Sequence, residues 1–289
     1  MRNFIALVAV AGLAVVGLAA TGNLSLGNAA ADSGGVTVTT TQEGADGLTP
    51  QPAPEGKSIG LCIDPTASTD KAFAKATLAS AINAVKNYLP VKPATKEGVT
   101  AVPGLDLTVR LVSTRPLAYG QPYLNIQVPA VVGLPPRPDM TAPGALDPGG
   151  PYLAWKQSET QWTSDFQAAQ DAIESAIKRL GEIDLANPGR SGVRECAAAL
   201  VSVAPTYANA TLIVASDLGD NSFTGAKPNF DGKPLILIQP CADGNAKHCS
   251  ALQNDFIAWT SNHGAGQTSI TRPEDTANTF AQLITSDIN

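Results

Sequence analysis

Residues Leu61–Ser68 read Leu-Cys-Ile-Asp-Pro-Thr-Ala-Ser, and this stretch decides the fold class. The apolar run Ile59–Ile63 has no polar alternation, which is typical of a strand buried on both faces of a parallel sheet. Polar residues follow immediately, and an amphipathic helix comes after them. Its apolar stripe is Leu78, Ile82, Val85 and Leu89.

Helical stretches separate further apolar segments along the chain. This alternation predicts a doubly wound α/β fold, in which a mostly parallel central sheet carries helices on both faces. Tyr123–Val128 is predicted as one antiparallel edge strand, and the helix Trp162–Leu180 brings the chain back to the ligand-binding edge. The predicted parallel strands are Ile59–Ile63, Leu105–Ser113, Leu212–Ala215 and Leu235–Gln239.

Asp64, Thr66 and Ser68 place one carboxylate and two hydroxyls on the turn that leaves the first strand. Such hard oxygen ligands suit a small divalent cation, and open α/β sheets bind their ligands at this edge. A second interpretation is equally consistent with the pentapeptide. Asp64 or Ser68 would then cap the following helix by accepting backbone N–H bonds.

The chain resembles a von Willebrand factor A (VWA) domain over roughly residues 57–288. The family has a metal-ion-dependent adhesion site that combines Asp-x-Ser-x-Ser, a distant Thr and a distant Asp. Asp64, Thr66 and Ser68 fall on the first motif, with Thr66 in place of its first Ser. The resemblance therefore implies a Rossmann-like VWA fold.

Two later stretches carry the same resemblance. Ser191 falls where the family has its distant Thr, and Asp217 falls on the distant Asp, with Leu218 in place of the usual Gly. Asp220 is predicted to neutralise the site or to orient its waters. The resemblance implies one Mg²⁺ or Mn²⁺ bound, directly or through water, by Asp64, Thr66, Ser68, Ser191 and Asp217. The competing expectation is an empty site, because three positions depart from the family motif.

Net charge and the N-terminal residues limit where the protein acts and what it binds. The chain has 289 residues and a net charge of −6, which argues against nucleic acid because no Lys and Arg cluster could neutralise phosphates. Residues 1–31, with the apolar run Phe4–Ala20, are predicted as a signal peptide or an N-terminal membrane anchor. Localisation is therefore predicted as secreted, periplasmic or cell-envelope associated, with membrane contact only through an uncleaved N-terminal segment.

Composition divides the rest of the chain. Residues 32–56 are rich in Gly, Ala, Thr and Pro and are predicted as a disordered linker. Residues 57–289 are predicted as the VWA-like domain. Its Pro-rich insertion, residues 129–151, is predicted either as a rigid connector or as a docking arm for a partner.

Four cysteines fit an exported chain that can form disulfides. Cys241 and Cys249 flank a short polar loop, and a bridge between them is the simplest prediction. The alternative is a metal clip that adds His248, although a fourth ligand is missing. Cys62 and Cys196 are predicted either to pair or to stay as buried free thiols.

Enzyme motifs are weak in this sequence. It has no Gly-x-Ser-x-Gly elbow, no glycine-rich phosphate loop with Lys, and only two histidines, both near the C-terminus. We therefore predict an exported, non-enzymatic VWA-like module for divalent-metal-dependent protein–protein interaction or adhesion at the cell envelope. Its partner would be a protein that offers an acidic side chain to the metal. The alternatives are a metal-dependent hydrolase at the same pocket and a structural envelope component with an idle metal site.

Overall fold

The computed structural model describes residues 55–66, 68–89, 99–112, 123–186, 192–202, 210–220, 225, 227–241 and 245–285. The predicted signal or anchor and nearly all of the predicted linker lie outside these ranges. Six strands and five helices are described. The strands are β1 (Lys57–Ile63), β2 (Leu105–Leu111), β3 (Tyr123–Val128), β4 (Ala210–Ala215), β5 (Leu235–Ile238) and β6 (Thr268–Thr271). The helices are α1 (Lys71–Lys86), α2 (Pro151–Gly181), α3 (Val193–Ser202), α4 (Ala246–Asn262) and α5 (Thr276–Thr285).

The strands form one sheet in the order β3-β2-β1-β4-β5-β6. Every neighbouring pair is parallel except β2 and β3, which are antiparallel. The α/β fold class is therefore confirmed, including the antiparallel edge strand. The chain order reverses direction between β1 and β4, and the tips of these two strands are where doubly wound sheets bind ligands.

Strand β1 is buried along its whole length because helices cover both faces of the sheet. Ile59, Leu61 and Ile63 belong to the apolar core beneath α1, α2 and α5. Cys62, between them, belongs to a second core formed with α3 and α4. Gly60 permits the close approach of α3, because a Cβ there would lie 2.9 Å from Leu212 and 3.3 Å from Leu200.

Two features differ from the sequence predictions. Helix α2 begins at Pro151 instead of Trp162, because a proline fits the first turn of a helix and the buried Trp155 extends the apolar stripe. Strand β6 was not predicted, because Thr268–Thr271 is a polar edge strand with no buried residue.

The Pro-rich segment is fastened to the start of α2. Trp155 donates a hydrogen bond from Nε1 to the Pro135 carbonyl at 3.0 Å. The Arg137 guanidinium lies 5.6 Å from the ring centres of both Tyr152 and Trp155. These are contacts of a segment packed on its own helix.

Both cysteine pairs form disulfides. Cys62–Cys196 joins β1 to α3 across 134 residues, and Cys241–Cys249 closes a loop across 8 residues. The metal clip with His248 is therefore wrong, since both of its thiolates are used in a bridge. Two disulfides indicate an oxidising, extracytoplasmic environment. Among the described helices, none is long and apolar enough to cross a membrane.

Candidate functional site

Asp64 occupies the tip of β1 with its side chain fully buried. Its backbone N–H donates to the Ala215 carbonyl at 2.9 Å, which continues the pairing of β1 with β4. Its Oδ1 accepts from the Thr66 backbone N–H at 2.9 Å and from the Thr66 hydroxyl at 2.5 Å. The carboxylate therefore holds its own turn in place.

Ser216 connects this carboxylate to the tip of β4. Its hydroxyl donates to Asp64 Oδ2 at 2.6 Å and accepts from the Leu218 backbone N–H at 2.9 Å. Asp64 and Ser216 are 152 positions apart in the chain, yet the β1–β4 pairing brings them into contact. The two strand tips thus share one buried hydrogen-bond network.

Ser68 extends this network toward solvent. Its Oγ lies 3.2 Å from the Thr66 hydroxyl, and its side chain is exposed. Helix α1 is capped by Asp70, whose Oδ1 accepts from the Ala72 backbone N–H at 2.9 Å. The interpretation of Asp64 or Ser68 as the cap of this helix is therefore wrong. The oxygens of Asp64, Thr66 and Ser68 instead follow one another from the core to the surface.

Asp217 follows β4 and is half-buried. Its Oδ1 accepts from the Gly219 backbone N–H at 2.9 Å. Its backbone carbonyl accepts from Gln239 Nε2 at 3.1 Å, and the same amide also donates to the Cys249 carbonyl at 3.3 Å. Gln239 therefore ties the backbone of Asp217 to α4 beside the Cys241–Cys249 bridge.

Leu218 adopts a left-handed backbone conformation with φ of 63°. A leucine is strained there, whereas a glycine is not. Its side chain is buried and packs in the core with α3 and α4. Burial of the leucine side chain offsets the strain of this turn, which directly follows Asp217.

Asp220 contacts Arg194 near the start of α3. Its Oδ2 lies 3.4 Å from the Arg194 backbone nitrogen and 3.9 Å from Nε. The same guanidinium pairs with Asp255 of α4 and lies 5.7 Å from the Trp259 ring centre. Arg194 thus links the loop after β4 to two helices.

The predicted ligand set is only partly described. Asp64, Thr66 and Ser68 form one group, and Asp217 adjoins it through Ser216. Ser191 lies outside the described residues. Within the described part of the chain, no group of three or more His, Cys, Asp and Glu side chains is placed to hold a metal ion. The described set has two carboxylates and two hydroxyls, an oxygen-only donor chemistry of the kind that Mg²⁺ and Mn²⁺ prefer.

Three contributors to this region were absent from the predicted site: Ser216, Gln239 and Arg194. Ser216 and Gln239 each come directly after a buried strand, the same signal that identified Asp64 and Asp217. Arg194 has no such signal, because its partners come from other elements. Comparison with protein-family profiles, with curated proteins and with solved structures finds no significant match for this chain.

Proposed function

We propose that this protein is an exported VWA-like module that binds one Mg²⁺ or Mn²⁺ and docks an acidic side chain of a protein partner at the cell envelope. Asp64, Thr66, Ser68, Ser191 and Asp217 would hold the ion, directly or through water. When bound, the cation supplies the positive charge that attracts a partner carboxylate. The residues of the chain supply oxygen donors at fixed positions.

The convergence on Asp64 carries this proposal. Its two carboxylate oxygens hold the Thr66 hydroxyl on one side and the Ser216 hydroxyl on the other. A second carboxylate, Asp217, comes directly after Ser216 in the chain, at the same edge of the sheet. Hydroxyls can also turn lone pairs toward a cation, since each carries two acceptor sites.

Export is supported by the two disulfides, which persist in oxidising compartments. The N-terminal apolar run Phe4–Ala20 is consistent with a signal or an anchor. A secreted, periplasmic or cell-envelope location satisfies both observations. A partner there would be another envelope or extracellular protein.

Calorimetric titration of Mg²⁺ and Mn²⁺ tests the metal. We expect saturable binding of one ion, weakened about tenfold or more by Asp217→Asn, which removes one charged ligand and keeps the side-chain shape. Asp147→Asn is the matched control, because Asp147 is exposed and is not one of the proposed metal ligands. Absence of binding at millimolar metal, or equal binding by both variants, would refute the metal site.

Partner capture tests the interaction. The biotinylated protein should retain more of an envelope protein in Mg²⁺ than in EDTA, and Asp217→Asn should capture less than Asp147→Asn. Capture that is indifferent to EDTA would point to a structural component. Turnover of phosphoesters or peptides in Mn²⁺, lost in Asp217→Asn, would point to a hydrolase.

A further inference from the structure

A groove of about 530 Å³ lies between α1 and the segment that follows α2. Its larger apolar side chains come from one turn of α1 and from the segment after Gly181. The apolar side chains are Leu78, Ile82, Ile183 and Leu185. Leu78 is buried and the other three are half-buried, so the surface is recessed.

Two lysines form the rim of this groove. Lys71 and Lys75 lie one turn apart on α1, and both are exposed. Neither forms an ion pair with a carboxylate of the described residues. Asp184 is the one acidic residue of the lining, and its Oδ1 accepts from the Ala186 backbone N–H at 2.8 Å. The rim therefore carries positive charge on a chain whose net charge is −6.

A second cleft, at the start of α4, has a different charge pattern. Its volume is about 420 Å³, and its lining includes Arg272 and Glu274. These two side chains lie 3.9 Å apart and form an ion pair. The charges of that cleft are balanced within the protein, whereas those of the groove on α1 are not.

The lining of the groove begins close in sequence to the strand-tip site. Lys71 is the first residue of α1 and comes three positions after Ser68. From Lys71 to Ile82 the helix rises about 16 Å, which matches about five residues of extended peptide. A peptide whose carboxylate reached the strand tips could therefore continue along α1.

We infer that this groove binds an acidic amphipathic segment of the protein partner, with apolar side chains on its floor and carboxylates on Lys71 and Lys75. The inference rests on the proposed function for the choice of a protein partner. Charge complementarity selects an acidic segment, since Lys71 and Lys75 have no carboxylate partner among the described residues. The recessed floor favours a peptide over a membrane, because a bilayer contacts apolar side chains that protrude.

Fluorescence anisotropy with a short labelled peptide made only of Leu and Glu tests the inference in EDTA. The peptide should bind, and peptides with Lys for Glu or Ser for Leu should bind about tenfold more weakly or not at all. The variant Lys71→Glu/Lys75→Glu should weaken binding about tenfold, because two attractions become repulsions. It should stay folded, since acidic residues near a helix N-terminus are stabilising.

Lys86→Glu/Lys247→Glu is the matched control, because both lysines are exposed and neither lines the groove. Equal binding by the two double variants, or no binding of the Leu-Glu peptide, would overturn the inference. So would adsorption to anionic phosphatidylglycerol vesicles without peptide binding, which would assign the groove to a membrane. EDTA keeps these outcomes separate from the metal titration, which tests the proposed function alone.

Discussion

Asp64 and Asp217 follow neighbouring parallel strands at the same edge of the sheet, but their surroundings differ. Asp64 is fully buried, and its two oxygens accept from Thr66 and Ser216. Asp217 is half-buried, and its side chain accepts from the Gly219 backbone N–H within its own turn. The two carboxylates are alike in sequence context and unlike in structural role.

The two carboxylates therefore have different roles: Asp64 holds the strand tips together, whereas Asp217 presents a charge. Asp64 joins the turn after β1 to the tip of β4, so its removal leaves buried donors without an acceptor. Gln239 holds Asp217 mainly through its backbone carbonyl. The Asp217 carboxylate itself accepts one hydrogen bond, from the Gly219 backbone N–H. We therefore expect the stability of the protein to depend on Asp64, and the binding of ligands to depend on both.

Asp64→Ala should have the largest effect on stability. We expect the free energy of unfolding in EDTA to fall by about 3 kcal/mol, because buried donors of Thr66 and Ser216 lose a charged acceptor. Urea unfolding followed by circular dichroism measures this. A loss below about 1 kcal/mol would show that Asp64 does not hold the two strand tips together.

Variants of Leu218 test whether the backbone of the turn after Asp217 is strained. Leu218→Ala should cost about 2 kcal/mol or more, because a buried side chain is lost. Leu218→Gly should be about 0.5 kcal/mol more stable than Leu218→Ala, because glycine adopts a positive φ without strain. The same urea experiment measures both.

Ala197→Gly serves as the control for that pair. Ala197 lies inside α3 and is buried, so its replacement by glycine should cost about 1 kcal/mol. If Leu218→Gly were less stable than Leu218→Ala, as glycine is at position 197, the strain at Leu218 would be negligible.

Gln239→Met should lower the stability of the protein less than the Asp64 and Leu218 variants do. It preserves side-chain length but removes the donor shared by the Asp217 and Cys249 carbonyls, which should cost about 1 kcal/mol. Amide hydrogen exchange should also accelerate at Gly219, whose N–H bonds to Asp217. Unchanged exchange together with unchanged stability would mean that Gln239 does not anchor the Asp217 backbone.

Asp217→Ala should have the smallest effect on stability, about 0.5 kcal/mol, because one local hydrogen bond is lost in a half-exposed turn. Its urea midpoint in EDTA, compared with that of Asp64→Ala, measures the contrast between the two carboxylates directly. Equal losses in the two variants would erase that contrast.

The sequence is sufficient to predict β1 to β5 within two residues of their ends, because continuous apolar runs and an edge-strand pattern are local signals. β6 was missed because Thr268–Thr271 is exposed and gains its strand conformation from pairing with β5. The start of α2 is hidden in the sequence, because Pro151 directly follows a proline-rich segment.

The candidate site was predictable as a set of residue types, but not as a set of contacts. Asp64, Thr66 and Ser68 share one turn, so their proximity follows from local spacing. The bond from Ser216 to Asp64 depends on the placement of β4 beside β1, which no local pattern records. The different roles of Asp64 and Asp217 depend on how deeply each side chain is buried, and the two similar strand ends do not reveal that burial.

The contacts of Lys57 determine how the protein can be attached to a surface. Its Nζ donates to the carbonyls of Leu283 and Ile284, at 3.3 and 3.2 Å, so the start of β1 lies against the end of α5. Asp64 lies at the opposite end of β1, about 20 Å away. Immobilisation through a tag beyond either Lys57 or α5 would therefore give the same orientation, with the strand tips pointing outward.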